Sequence, residues 1–208
     1  MFTFGLIGPI VRFMIIGRPK EFEFDEALDA ALEVFWSKGY ESTSLQDLIE
    51  SMDLSKSSFY QTFESKHKLL QRCIKRYQDV HMKRLSDSLE QSNSARSFIE
   101  NAFNSLVEKT KEPCDRNGCL IVNCANEFAQ KDSVIAKLII NATKMTTDIF
   151  LKAVKQAQKE GEIPIQKKPL PIARYLMSSM CGLQTMIKAG ANPAMLKEIN
   201  GVVLQALD

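Results

Sequence analysis

At 208 residues, with 45% hydrophobic and 25% charged positions, the chain has the composition of an ordinary soluble folded protein and enough length for a buried core. A formal net charge of +2 does not by itself commit it to nucleic acid, and five cysteines without CxxC pairs argue for a reducing cytoplasm rather than a disulfide framework. His67 and His81 are the sole histidines, and no glycine-rich phosphate loop, Ser-His-acid set or zinc spacing appears, so neither catalysis, a metal nor a cofactor is expected.

The opening Met1–Ile16 is apolar but interrupted by Gly8, Pro9 and Arg12. It is too short to span a membrane as one helix, and it lacks a basic lead and a cleavage site. Residues 1–17 are therefore expected to be a disordered extension, with Met1–Phe13 lying upstream of a start at Met14. Arg18-Pro19-Lys20 is a basic lead-in. A helix is predicted from about Glu23 to Lys38, with Phe24, Leu28, Ala31, Leu32, Phe35 and Trp36 on its inner face and Gly39 ending it. Trp36 reads as core of a small head domain.

Residues 44–63 read as two short helices joined by a tight turn. Leu45, Leu48 and Ile49 give the first an apolar stripe, Met52-Asp53-Leu54 breaks it, and Ser55 caps the second. Phe59 and Phe63 face inward, whereas Lys56, Ser57, Ser58, Tyr60 and Gln61 face out, with no acid before Glu64. Hydroxyls, an amide, a phenol and a lysine suit phosphates and base edges, which makes this a helix-turn-helix whose second helix enters the major groove.

After it, Ser65 caps a long helix to about Leu89, with Leu69, Leu70, Cys73, Ile74, Tyr77, Val80 and Met82 on its apolar side. Lys66 sits in its first turn, where a cation is unfavourable unless a phosphate is near. A polar joint over residues 90–97 leads to a helix beginning at Phe98, a loop over 112–118, and helices over Cys119–Phe128, Ser133–Glu160, Pro171–Ala189 and Ala194–Leu207. No strand run or repeat appears, so the fold class is all-α. Charge is partitioned: from Glu21 to Asp53 ten acids accompany Lys38 alone, and from Leu54 to Arg84 eight bases accompany Glu64 and Asp79. That asymmetry would orient the head on DNA. The last two helices carry stripes, Leu176, Met180, Leu183 and Ile187, then Leu196, Ile199, Val203 and Leu207, that could meet copies of themselves in a four-helix bundle.

Thr43-Ser44-Leu45, Leu54-Ser55-Lys56-Ser57-Ser58-Phe59-Tyr60, Phe63-Glu64-Ser65-Lys66 and the preceding Phe35-Trp36-Ser37-Lys38-Gly39-Tyr40 resemble the DNA-binding head of the tetracycline-repressor (TetR/AcrR) family over roughly Gly17–Arg84. Asp53 and Ser57 depart from it, standing where the family often has glycine. The resemblance implies a head over residues 18–64 and a helical effector-binding and dimerisation domain over 65–208. It implies DNA contacts from Thr43, Ser44, Ser55, Lys56, Ser57, Ser58, Tyr60, Gln61 and Lys66, with Arg18–Lys20 along the backbone or minor groove. It also implies a homodimer through the last two helices on a palindromic double-stranded operator. A small, largely hydrophobic effector would be held among Phe98, Phe103, Ile121, Cys124, Phe128, Met145, Ile149, Met177 and Gln184, with Phe150 beside them and Asn123, Asn126 and Thr146 as further polar anchors. The expected function is a cytoplasmic repressor, with no membrane partner. One alternative is a thiol-based sensor using Cys114, Cys119 or Cys124, since Cys119 opens a helix whose dipole lowers a thiol pKa and Arg116 is near. The other is a small-molecule carrier that does not bind DNA.

Overall fold

The computed structural model describes residues 21–108 and 117–208. The 1–17 extension, the Arg18–Lys20 arm, Cys114 and Arg116 lie outside the described residues. Among the described residues the chain is all-helical: α1 (Glu21–Lys38), α2 (Leu45–Ser51), α3 (Lys56–Phe63), α4 (Lys66–Gln91), α5 (Ala95–Glu108), α6 (Leu120–Phe128), α7 (Ser133–Lys159), α8 (Pro169–Lys188) and α9 (Pro193–Gln205).

Local chemistry sets these boundaries. Ser44, Ser55, Ser65, Asp132 and Asn192 each stand at a helix N-terminus and accept a backbone N–H that the helix leaves unpaired. The polar joint contracts to residues 92–94, because Ser94 and Ser97 exchange backbone-to-hydroxyl hydrogen bonds of 3.0 and 3.2 Å and start α5 at Ala95 rather than Phe98. Glu160 and Glu162 then accept the Ala95 and Arg96 N–H groups, tying this corner to the end of α7. Likewise α8 opens at Pro169, two residues before the predicted start, since proline at the first position loses no hydrogen bond there.

Two apolar clusters fill the interior. One joins the distal parts of α4 and α7 to α5, α8 and α9 around Phe98, Phe103 and Phe150. The other joins α1, α2 and α3 to the first half of α4, to α6 and to the start of α7 around Phe35, Phe59, Phe63 and Ile135. The apolar core thus runs straight past residue 64, where the sequence suggested that the head ends.

The structure turns most of the expected stripe residues inward, although Leu183, Ile199 and Val203 also border an open groove. Leu176, Met180, Leu183, Ile187, Leu196, Val203 and Leu207 are all buried inside the single chain, because α8 packs on α7 and α9 packs on α5. The face left open lies one residue earlier on α8 and follows Met195, Ile199 and Val202 on α9. It forms a groove lined by Tyr175, Ser179, Gly182, Leu183, Met186, Glu198, Ile199, Val202 and Val203. Val80, expected on the inner side of α4, is exposed.

Candidate nucleic-acid interface

The reading head is built outward from two phenylalanines. Phe59 and Phe63 are fully buried under α3, their rings 5.9 Å apart, and Phe24 of α1 stacks on Phe63 at 5.5 Å. Burial of each such side chain contributes about 1.5–3 kcal/mol, enough to seat a helix of eight residues that would not form alone. The turn before it places Asp53 at φ 51°, the left-handed conformation anticipated for that position. Leu54 N–H reaches back to Ile49 C=O at 3.1 Å and closes α2. Glu64, at φ 65°, makes a second left-handed turn that no sequence signal announced.

With the helix seated, Lys56, Ser57, Tyr60 and Gln61 are exposed and Ser58 is partly so. Ser55 Oγ accepts the Ser58 N–H at 3.1 Å and lies 2.9 and 2.8 Å from the Ser57 and Ser58 hydroxyls. Ser44 caps α2 reciprocally: its Oγ accepts the Asp47 N–H at 3.0 Å, and Asp47 accepts the Ser44 N–H at 2.8 Å. The Lys38 ammonium at 2.7 Å, aided by Ser44, holds the Asp47 carboxyl well below the usual carboxylate range. Thr43 is turned away from this surface. It is buried, and its hydroxyl donates to the Gly39 carbonyl at 2.6 Å, so it fixes the turn between α1 and α2 instead of facing a duplex.

Lys66 is half-buried, with its ammonium 4.1 Å from the centre of the Tyr40 ring. Tyr40 also stacks near Phe35 and meets Phe128 of α6 edge-on at 5.1 Å, and burial raises its phenol pKa. Three other members of the basic run also have partners within the chain. Arg76 makes a fork onto Asp29 at 2.9 and 3.0 Å and reaches Asp25 at 3.1 Å; Arg72 lies over Phe24 and Phe63; Lys83 pairs with Asp87. The acidic and basic segments thus partly neutralise each other within the head. Trp36 is not simply head core: its indole N–H donates to Gly118 C=O at 3.1 Å and its ring meets Tyr77, which fastens α1 to the lead-in of α6.

Sequence reasoning missed the seam between head and body. Glu127 of α6 accepts the Tyr40 N–H at 3.2 Å, and a Cβ added at Gly39, where φ is 79°, would come within 2.8 Å of that carboxylate. His67 of α4 lies 2.5 Å from Asp132, whose other oxygen caps α7. A carboxylate spaced to meet a distant turn leaves no periodic trace.

The expected effector residues divide between the two clusters. Phe98 and Phe103 pack on Phe150 at 6.2 and 6.0 Å, with Met145, Ile149 and Met177 against them. Ile121, Cys124 and Phe128 belong with the head instead. Gln184 is buried on α8 and Thr146 on α7, but Asn126 is exposed and Asn123 holds the Asn117 carbonyl at 3.1 Å. Between α4 and α7, buried Gln78 Nε2, which the sequence did not single out, lies 2.7 Å from Met145 Sδ, while the Thr146 hydroxyl donates to the Ala142 carbonyl at 3.1 Å and lies 3.9 Å from Met82 Sδ. The thiol expectation is reversed among the described cysteines. Burial pushes Cys119 up despite its place at the start of α6, and pushes Cys124 up to about 12 and Cys181 up to about 11.

Comparison with known proteins agrees with this geometry. The family model "Bacterial regulatory proteins, tetR family" matches residues 27–73, from α1 into α4. An uncharacterized HTH-type transcriptional regulator of Bacillus subtilis (strain 168), YezE, is 30% identical, covering 93% of this chain and 100% of its own. The HTH-type transcriptional repressor ComR of Escherichia coli (strain K12) is 28% identical, covering 91% of this chain and 90% of its own. The fold matches that of a TetR family regulator, a CifR cysteine mutant complexed with 26bp double-strand operator DNA, at a TM-score of 0.79 and 24% identity over 92% of this chain and 100% of that one. The chain therefore belongs to the tetR family of bacterial regulatory proteins, and is a DNA-binding transcriptional regulator rather than an enzyme.

Proposed function

We propose that the protein is a cytoplasmic homodimeric repressor, released from a palindromic operator by a small and largely hydrophobic effector. The observation that carries the DNA reading is the seating of α3: Phe59 and Phe63 are fully buried while Lys56, Ser57, Tyr60 and Gln61 stand clear on the opposite side. Ser44 and Ser55 at two helix N-termini, and Lys66 at a third, would meet phosphates. Gln61 would read base edges. One eight-residue helix touches few base pairs, so useful specificity needs two heads about a two-fold axis. The open α8–α9 groove supports that pairing, and residues 65–208 would then serve as the effector-binding and dimerisation domain.

The effector reading rests on the contact between α4 and α7. A buried amide at Gln78 faces a thioether, a weak acceptor, within an apolar, methionine-rich interior. A ligand that is mostly apolar but carries a hydrogen-bond acceptor would satisfy that amide better than methionine sulfur does. Phe98, Phe103, Met145, Ile149, Met177 and Gln184 lie in the body and suit its walls; Ile121, Cys124 and Phe128 would act between that site and the head. Raised thiols make the sensor alternative weaker for Cys119 and Cys124.

The test is a gel shift on duplexes selected by the full-length protein from a random-sequence pool. Recovery of a palindrome, with Gln61→Ala altering sequence preference and Lys56→Ala weakening all sequences alike, supports the reading. Equal, feeble binding to every duplex at low salt would overturn it.

A further inference from the structure

Lys66 opens α4, and the backbone there is already fixed. The Ser65 hydroxyl accepts the Lys68 N–H at 3.1 Å, and the Ser65 carbonyl accepts the Leu69 N–H at 3.0 Å. A cation in the first turn of a helix faces unpaired N–H groups of like sign. Among the described residues no carboxylate pairs with it. Its partner is the face of Tyr40, with the ammonium 4.1 Å from the ring centre. A ring face attracts the charge through its quadrupole but engages one side of the ammonium, so N–H donors stay open to an anion. Tyr40 is itself held from three directions. Phe35 stacks beside it at 5.9 Å, Phe128 meets it edge-on at 5.1 Å, and Glu127 accepts its backbone N–H at 3.2 Å. Among the described residues its phenol oxygen makes no hydrogen bond, so the ring is what position 40 supplies.

We propose that Tyr40 is a positioning residue for Lys66: its ring holds the ammonium where a DNA phosphate meets it, and so raises affinity for duplexes of any sequence. The proposal rests on the reading of Lys66 as a phosphate contact. A free lysine side chain carries large rotamer entropy, which is lost when it is ordered on binding. Resting on Tyr40, the ammonium is restricted before DNA arrives, so less is lost on contact. The platform belongs to the seam, because Tyr40 lies in the turn after α1 while Glu127 and Phe128 grip it from α6. The aim of Lys66 is therefore set by the body as well as by α4. A ring serving only as core would contribute the same to DNA binding whether or not position 66 carried a charge.

The experiment measures anisotropy of a labelled duplex selected by the full-length protein, across a range of salt, with a thermal melt of each variant. Lys66→Met judges the underlying reading. Its salt slope should become shallower by about 0.9 for each Lys66 in the complex, and an unchanged slope removes the phosphate contact and this proposal with it. Tyr40→Phe keeps the ring and should bind as wild type does. Tyr40→Leu keeps apolar bulk against Phe35 and Phe128 but loses the π face, and should weaken binding about two- to fivefold for each head. In a Lys66→Met background the same change should cost nothing further, because no ammonium is left to place. Additive losses would make Tyr40 core alone and overturn the proposal, while the phosphate contact stands on its slope. A fluorinated phenylalanine at position 40 keeps the shape and withdraws charge from the ring face, which sets folding aside. Affinity should fall as fluorines are added, and only when Lys66 is present. A fluorinated series that binds as tightly as Tyr40→Phe overturns the proposal.

Discussion

Val202 and Val203 are neighbours in sequence with opposite surroundings: Val202 is 62% exposed on the open groove, and Val203 is 4% exposed in the body core. Under the homodimer reading the same substitution must therefore act on different equilibria. In Val202→Asp the monomer loses little, within about ±0.5 kcal/mol, because the new carboxylate stays in water. At a closed α8–α9 contact it would be stranded against Tyr175 and Met186. An uncompensated charge of that kind costs about 3–5 kcal/mol, and a two-fold axis repeats it. Taking half of the doubled figure, since a groove rim stays partly wet, the dimer dissociation constant should rise by roughly 10²–10⁴. Sedimentation velocity at micromolar protein, paired with a thermal melt, separates the cases. Val202→Asp should sediment as a folded monomer and lose operator affinity, whereas Val203→Asp should fail to fold. A Val202→Asp protein that remains dimeric, or one that unfolds as Val203→Asp does, would refute the assignment of the groove as the contact.

Other consequences follow from single residues. Asp53→Gly removes the cost of a left-handed non-glycine residue and should raise stability by about 0.5 kcal/mol in urea unfolding, with Asp53→Ala lowering it by about 1 kcal/mol. Gly39→Ala meets both a φ of 79° and the Glu127 carboxylate at 2.8 Å, and should cost about 1–2 kcal/mol by the same measurement. Asp47 has a folded-state pKa below its unfolded value, so its contribution is present above the unfolded pKa and is lost as pH falls through the folded one. Lys38→Met should accordingly bring the carboxyl titration of Asp47, followed by NMR, up toward the ordinary range. Gln78→Leu replaces a buried amide whose partner is a thioether; it should leave the apo protein as stable or more so by about 1 kcal/mol, while an effector no longer releases DNA in the gel shift.

The parts of the molecule legible in the sequence are those written by local rules. Helix periodicity, the serine caps, Asp53 in the turn and the inward pair Phe59 and Phe63 each involve residues within a few positions of one another. The α8 stripe was legible as apolar but not as to its destination: rows displaced by a single residue differ by about 100° around a helix, and only packing on α7 decides which is inside. Thr43 shows the same limit at one side chain, since a hydroxyl beside a cap suits a phosphate or a backbone carbonyl equally until the fold brings Gly39 within reach. Arg76 and Trp36 took their roles from partners far along the chain, Asp25 and Asp29 for one and Gly118 for the other. The thiols fail for a further reason: helix position is local, but burial is not, and burial dominates at Cys119.

The route from body to head follows from where the core is continuous. Because α6 and the start of α7 share one apolar cluster with α1, α2 and α3, a shift of α6 would have to carry Phe128 against Tyr40 and Glu127 against Gly39, or else open voids in a close-packed interior. Opening such a void costs several kcal/mol per large side chain, whereas useful induction needs only about 1–3 kcal/mol of unequal affinity between two arrangements. Under the proposed homodimer and effector reading, moving head and corner together is the cheaper response, and α4, which runs through both clusters, would be the lever that converts it into a change of distance between two copies of α3. Uncoupling should then require damage at the seam, at Tyr40, Glu127 or Phe128, rather than anywhere along α8 and α9. A Glu127→Gln protein keeps the hydrogen bond to Tyr40 and should remain inducible, and a Phe128→Ala protein that still folds should bind effector yet release DNA poorly.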